Sequence, residues 1–126
     1  MALLSHHPEI RDVTTTVSVD GDLQPAYAEP GVLVMAVTLA LGAAQRAAGA
    51  NGLVALRIMS STESVQFIAA GSRVGGAAAI ADDDAARDVE AINWLLKPFA
   101  GTGHISADGF CVTIPTLQAA RRARGI

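Results

Sequence analysis

The sequence predicts an α+β fold, a five-stranded antiparallel sheet with a long helix and a C-terminal helix packed on it. Three observations lead there. Residues 31–49, GVLVMAVTLALGAAQRAAG, are one unbroken Ala- and Leu-rich run with the composition of a helix of about five turns. Short stretches of strand character flank that run, at residues 12–28 on one side and 53–81 on the other. A second, amphipathic run follows at 85–99. The order is β-β-α-β-β-β-α and then a short tail.

The chain has 126 residues, enough for one domain with a modest core. It is 51% hydrophobic but only 4% aromatic, so that core is made of Ala, Val, Leu and Ile. Small side chains bury little area each, which favours a further buried surface from self-association. The net charge of −3 offers no basic field for nucleic acid. Cys111 is the only cysteine, so an intrachain disulfide is excluded and a reducing cytoplasm fits best. The opening MALLSHHPEIRD lacks the basic start and long apolar centre of a signal peptide. Residues 31–44 give 14 positions before Gln45 and Arg46, short of the roughly 20 that a bilayer requires. A soluble, cytoplasmic protein is expected.

Taken in order, residues 12–19 alternate Val13, Thr15, Val17 and Val19 on one face of a first strand. Asp20-Gly21 is a hairpin signal, and 23–28 reads as a second strand placed at a sheet edge by Pro25. Pro30 and Gly31 open the long helix. It is apolar almost all round in its first half, as a helix buried on several sides would be. Gly49, Asn51 and Gly52 end it. Strands are expected at 53–60, 64–70 and 73–81, the last flat and rich in Gly and Ala. Asp82, Asp83 and Asp84 supply the cap of a helix over 85–99, whose apolar stripe is Val89, Ile92, Leu95, Leu96 and Phe99. Gly101 to Gly103 reads as a joint, 110–114 as a short strand and 115–124 as a terminal helix ending in arginines.

With these residues, the order resembles the Roadblock/LC7 family. HPEIRDVTTTVSVDGDLQPAYA is similar to the family's opening strand and its D-G turn, and RVGGAAAIADDDAARDVEAINWLL to its last strand, acidic turn and final helix. Asp83 stands where the family often has Pro. The resemblance covers residues 8–99, so 1–100 is read as the domain and 101–126 as a C-terminal extension with a short strand and helix. It implies a profilin/longin-like sheet and a homodimer in which the strand 53–60 pairs edge to edge with its mate beside the long helix 32–46. The dimer residues so implied are Val34, Val37, Leu41, Leu53, Ala55, Arg57 and Met59. The implied function is that of a regulator or scaffold of a small Ras-like GTPase in bacterial signalling or polarity, without cofactor.

Chemistry-bearing groups are few. His6 and His7 with Glu9 or His104 lack the spacing of a metal site, and a solvated terminus explains them. Asp82, Asp83 and Asp84 could hold Mg²⁺, although helix capping already accounts for them. Cys111 has only His104 nearby in sequence and reads as a small apolar residue of a strand. Gly75-Gly76 and Gly101-x-Gly103 lack the spacing and the Lys-Ser/Thr of a phosphate loop. Trp94 fits a partner anchor or an edge of the core equally well. Arg121, Arg122 and Arg124 form the one basic cluster, a solvated helix end or a partner contact. No nucleophile, base and orienting group come together, so no catalysis, cofactor or metal is expected. A ligand-binding YbjQ-like ring, suggested by GANGLVALRI after the Ala-rich helix, is the alternative, as is a tile of a phage-type assembly.

Overall fold

The computed structural model describes residues 14–21, 25–73, 83–106 and 109–123. The β-branched opening forms β1, Thr14–Asp20. The Ala-rich run forms α1, Pro30–Ala48, with Pro in its first turn, where the missing N–H leaves no bond unmade. It ends at Gly49, whose φ of 74° suits glycine and whose N–H donates to the Gln45 carbonyl. β2, Leu53–Ser60, and β3, Ser64–Ser72, make a hairpin. The Ser61 hydroxyl pins its turn by accepting from the N–H groups of Glu63 and Ser64, each at 3.2 Å. α2, Ala85–Leu96, runs into a 3₁₀ turn, Lys97–Phe99, and is followed by β4, Thr102–Ser106, β5, Gly109–Pro115, and α3, Leu117–Ala123.

The five strands form one mixed sheet in the order β1-β2-β3-β5-β4. β1 runs parallel to β2, and the other three pairings are antiparallel. Helices α1 and α2 pack side by side on one face. Alanines of α1 (Ala36, Ala40, Ala44, Ala47) meet Val54, Leu56, Ala69, Val112 and Ile114 of the sheet, and Leu41, Ile92 and Leu96 complete the core. The approach is close because the facing residues are small. A Cβ on Gly71 of β3 would lie 2.7 Å from the Ala44 carbonyl oxygen, and one on Gly103 of β4 would lie 2.6 Å from Ile92 Cγ2.

The sheet corrects several expectations. Asp20-Gly21 turns the chain, with Gly21 at φ 69°, but among the described residues no hairpin follows. β1 pairs instead with β2, across the α1 crossover, and such a crossover makes a parallel pair where an antiparallel one was expected. Residues 25–28 are not a strand; Ala26 makes a single bridge to Thr116. β2 therefore lies between β1 and β3 and presents no free edge to a mate. The strand expected at 73–81 lies outside the described residues, Arg73 apart. Gly101 and Gly103 are buried, and 102–106 is an edge strand, because the chain must pass tightly under α2 there. The 110–114 strand is present as β5 and sits inside the sheet, so residues 101–126 supply two of its five strands. Asp84 occupies the cap position of α2 without a side-chain capping bond.

Candidate functional site

A concavity among the described residues lies at one end of the sheet. Paired positions of a sheet share a face, so Ser64 opposite Pro115, and Thr113 opposite Thr102, stand on the face that α1 and α2 leave open. Around them close the 3₁₀ turn with Pro98 and Phe99, the segment carrying Tyr27, and α3 with Ala119 and Ala120. The space between them is about 470 Å³ and opens to solvent. Tyr27 and Phe99 meet edge to face, ring centroids 5.9 Å apart. At the rim Glu63 accepts from Arg122 at 2.5 Å. The hydroxyls of Ser64, Thr102 and Thr113 make no hydrogen bond among the described residues.

Backbone bonds fix these walls. Tyr27 N–H donates to the Pro115 carbonyl at 2.9 Å, Leu117 N–H to Pro25 at 2.8 Å and Thr116 N–H to Glu63 at 3.0 Å. Thr116, 1% exposed, donates its hydroxyl to the Thr62 carbonyl at 2.7 Å and accepts from Ala119 N–H at 3.1 Å. One buried threonine thus ties the β2–β3 turn to the start of α3.

The residues expected at a dimer interface do not come together. Leu53, Ala55 and Arg57 project from the open face, with Leu53 58% exposed and Arg57 paired to Asp20. Met59 shares that face and is half-buried. Val34, Val37 and Leu41 belong to α1, on the opposite side of the sheet. Leu41 is wholly buried inside the domain and is not presented to a partner. Trp94 is 76% exposed on α2. Arg121 and Arg122 are exposed on α3; Arg124, like His6, His7, Glu9, Asp82, Gly75 and Gly76, lies outside the described residues. Among the described residues no group of three His, Cys, Asp or Glu side chains could hold a metal. His104 does face Cys111 across the β4–β5 pair, a neighbour relation invisible in a spacing of seven residues. The cavity itself was not foreseen. Its walls come from four separate segments, and no local pattern announces that they meet.

Neither a protein-family model nor a curated protein matches the sequence. Solved structures do match the fold. The mycobacterial sensor histidine kinase MprB superposes with a TM-score of 0.58 at 13% identity, over 85% of this chain and 84% of its own. The catalytic domain of histidine kinase ThkA gives 0.60 at 10% identity, over 83% and 79%. The histidine kinase domain of the blue-light activated kinase EL346 of Erythrobacter litoralis gives 0.59 at 16% identity, over 98% of this chain and 63% of its own.

The chain shares the fold of histidine-kinase catalytic domains. That overturns the Roadblock/LC7 resemblance and, with it, the GTPase regulator and the GTPase partner it implied. The expected absence of enzymatic function falls too, since these neighbours are catalytic domains of kinases. The resemblance rested on an Ala-rich helix before a β-hairpin, both present here, while the partner of β1 is decided by long-range packing. By length and hydropathy α1 is the described helix that would suit a membrane. Its alanine face is packed on the sheet, as in the core helix of a soluble domain.

The ThkA catalytic domain is a nucleotide-free form, so a nucleotide is the group to test against the cavity. The two do not fit. Among the described residues the one charged side chain lining the cavity is the carboxylate Glu63, which repels phosphates, and the nearby Arg122 is already bound to it. No step through a nucleotide is derived from this cavity.

Proposed function

We propose that the chain is a signalling domain of the histidine-kinase catalytic type, acting in phosphoryl transfer that involves histidine. One observation supports this above others: most of the layered body, not a single motif, superposes on such domains, 85% of this chain matching 84% of the MprB chain. Fold alone does not fix chemistry, so this reading rests on analogy of fold and is decided by the labelling experiment. The reading puts the chain on the cytoplasmic side, as the structure of the cytoplasmic segment of histidine kinase QseC illustrates for that protein. The exposed Trp94 and Arg121 are the side chains we assign to partner contact within this reading.

The test is phosphohistidine. The full protein is incubated with Mg²⁺ and radiolabelled ATP, and separately with a prephosphorylated histidine kinase as donor. Label that survives alkali and is lost in acid, the behaviour of a phosphoramidate, is the expected result with one donor or the other. No such label from either donor overturns the proposal.

A further inference from the structure

We infer that the cavity at the end of the sheet is a binding site for an uncharged, ring-bearing and largely apolar small molecule. The site lies apart from the α1–α2 face of the sheet and does not depend on the phosphotransfer reading.

Size and lining set the class of ligand. A space of about 470 Å³ falls within the range that takes a small organic molecule. Its walls are mainly apolar, with Phe99, Tyr27, Pro98 and Pro115 supplying flat surfaces, and Ala119 and Ala120 of α3 keeping the floor open. A ring can lie against the edge-to-face pair of Tyr27 and Phe99, the arrangement in which aromatic groups pack well. Three hydroxyls, those of Ser64, Thr102 and Thr113, line the space with their hydrogen-bonding capacity unused by the described residues. Each can donate or accept, so they orient a polar substituent without asking for charge. Glu63 at the rim disfavours an anion, and its pairing with Arg122 leaves little to attract a cation.

The site is also preformed. Thr116 locks α3 to the β2–β3 turn, and Pro25 and Tyr27 are tied to Leu117 and Pro115 through backbone bonds. Ala100 closes the 3₁₀ turn with its N–H on the Lys97 carbonyl at 3.2 Å. Walls held this way need little ordering when a ligand enters, which is where much binding free energy is otherwise lost.

N-phenyl-1-naphthylamine, a neutral aromatic fluorophore, is the probe. Titrated into the intact chain, it is expected to brighten and saturate at one molecule per chain. Ala119→Phe fills the cavity and is expected to weaken binding more than about tenfold, since a ring must now be excluded. Its circular dichroism and melting temperature show whether the variant is folded. If Ala119→Phe does not fold, the wild-type protein decides: amide shifts on adding the probe should centre on Ala100, Thr113 and Ala120. Binding that never saturates, full affinity in folded Ala119→Phe, or shifts centred on Trp94 and Val34 instead would each overturn the site. The anionic relative 1-anilinonaphthalene-8-sulfonate should bind more weakly, and equal or tighter binding would overturn the assignment to uncharged ligands.

Discussion

Asn93 of α2 holds both backbone groups of Gly103 on β4: its Nδ2 donates to the Gly103 carbonyl at 2.9 Å, and the Gly103 N–H donates to its Oδ1 at 2.9 Å. Because β4 is an edge strand, a side-chain amide stands where another strand would otherwise pair. Asn93→Ala leaves both groups of Gly103 without that partner, and a loss of about 1–3 kcal/mol is expected in urea unfolding. Asn93→Asp should be at least as damaging, because an ionised carboxylate accepts but cannot donate to the Gly103 carbonyl. Wild-type stability in the Asp variant would show that the paired bonds do not secure the strand.

The same glycine sets how deeply α2 sits. A Cβ at position 103 would meet Ile92 Cγ2 at 2.6 Å, inside any normal contact. Gly103→Ala is therefore expected to destabilise by about 1–3 kcal/mol through overpacking. Ile92→Ala, which opens a cavity at a residue 1% exposed, should cost about 2–5 kcal/mol. Combined, the two should cost less than their sum, since the methyl gained occupies the space the isoleucine leaves. Strict additivity in calorimetry would mean the two sites do not touch.

Gln45 is 2% exposed at the end of α1; its Nε2 donates to Thr15 Oγ1 on β1 at 3.1 Å, while its Oε1 has no partner among the described residues. Thr15→Val removes the remaining partner and should cost about 1–3 kcal/mol. Gln45→Met keeps much of the volume and removes both polar atoms, so it should cost less, and the double variant should recover part of the Thr15→Val loss. Denaturant midpoints in the opposite order would sink this account.

These contacts mark the line between what the residues reveal locally and what only packing decides. The Ala- and Leu-rich run of 31–49, the β-branched run at 12–19, the strand at 53–60 and the stripe Val89, Ile92, Leu96 were legible because helix and strand signals are local. The pairing of β1 was not, since Asp20-Gly21 fits a hairpin and a crossover equally well. Gly101 and Gly103 read as a joint because nothing nearby in sequence shows that Ile92 and Leu96 press on them. The resemblance put Leu41 and Leu53 at one interface, yet they stand on opposite sides of the sheet. The cavity needed Tyr27, Ser64, Phe99 and Thr113 in one place, and these are brought together by the tertiary fold.

Arg46 and Asp88 join α1 to α2 through a direct ion pair whose side chains are 34% and 19% exposed. Such a partly exposed pair contributes little, of the order of 1 kcal/mol or less. Asp88→Asn should lower the melting temperature slightly in dilute buffer, and the difference from wild type should shrink in about 1 M salt, where charges are screened within a few ångströms. A difference that salt does not change would assign the effect to packing and not to charge. As a surface control, Trp94→Ser should move stability by no more than about 0.5 kcal/mol.

Ala100 occupies the left-handed region at φ 57°, closing the 3₁₀ turn that forms one wall of the cavity. A side chain there costs roughly 1 kcal/mol relative to glycine, because its Cβ crowds the backbone. Glycine brings its own cost, a more disordered unfolded chain, worth about 0.4–1 kcal/mol. The two nearly balance, so Ala100→Gly should change unfolding free energy by less than about 1 kcal/mol. Ala100→Val should differ sharply, since a β-branched residue resists a positive φ, and a loss above about 1 kcal/mol is expected. Equal stability of the Gly and Val variants in denaturant titration would show that residue 100 is free to leave the left-handed region, and the wall it closes would then not be rigid.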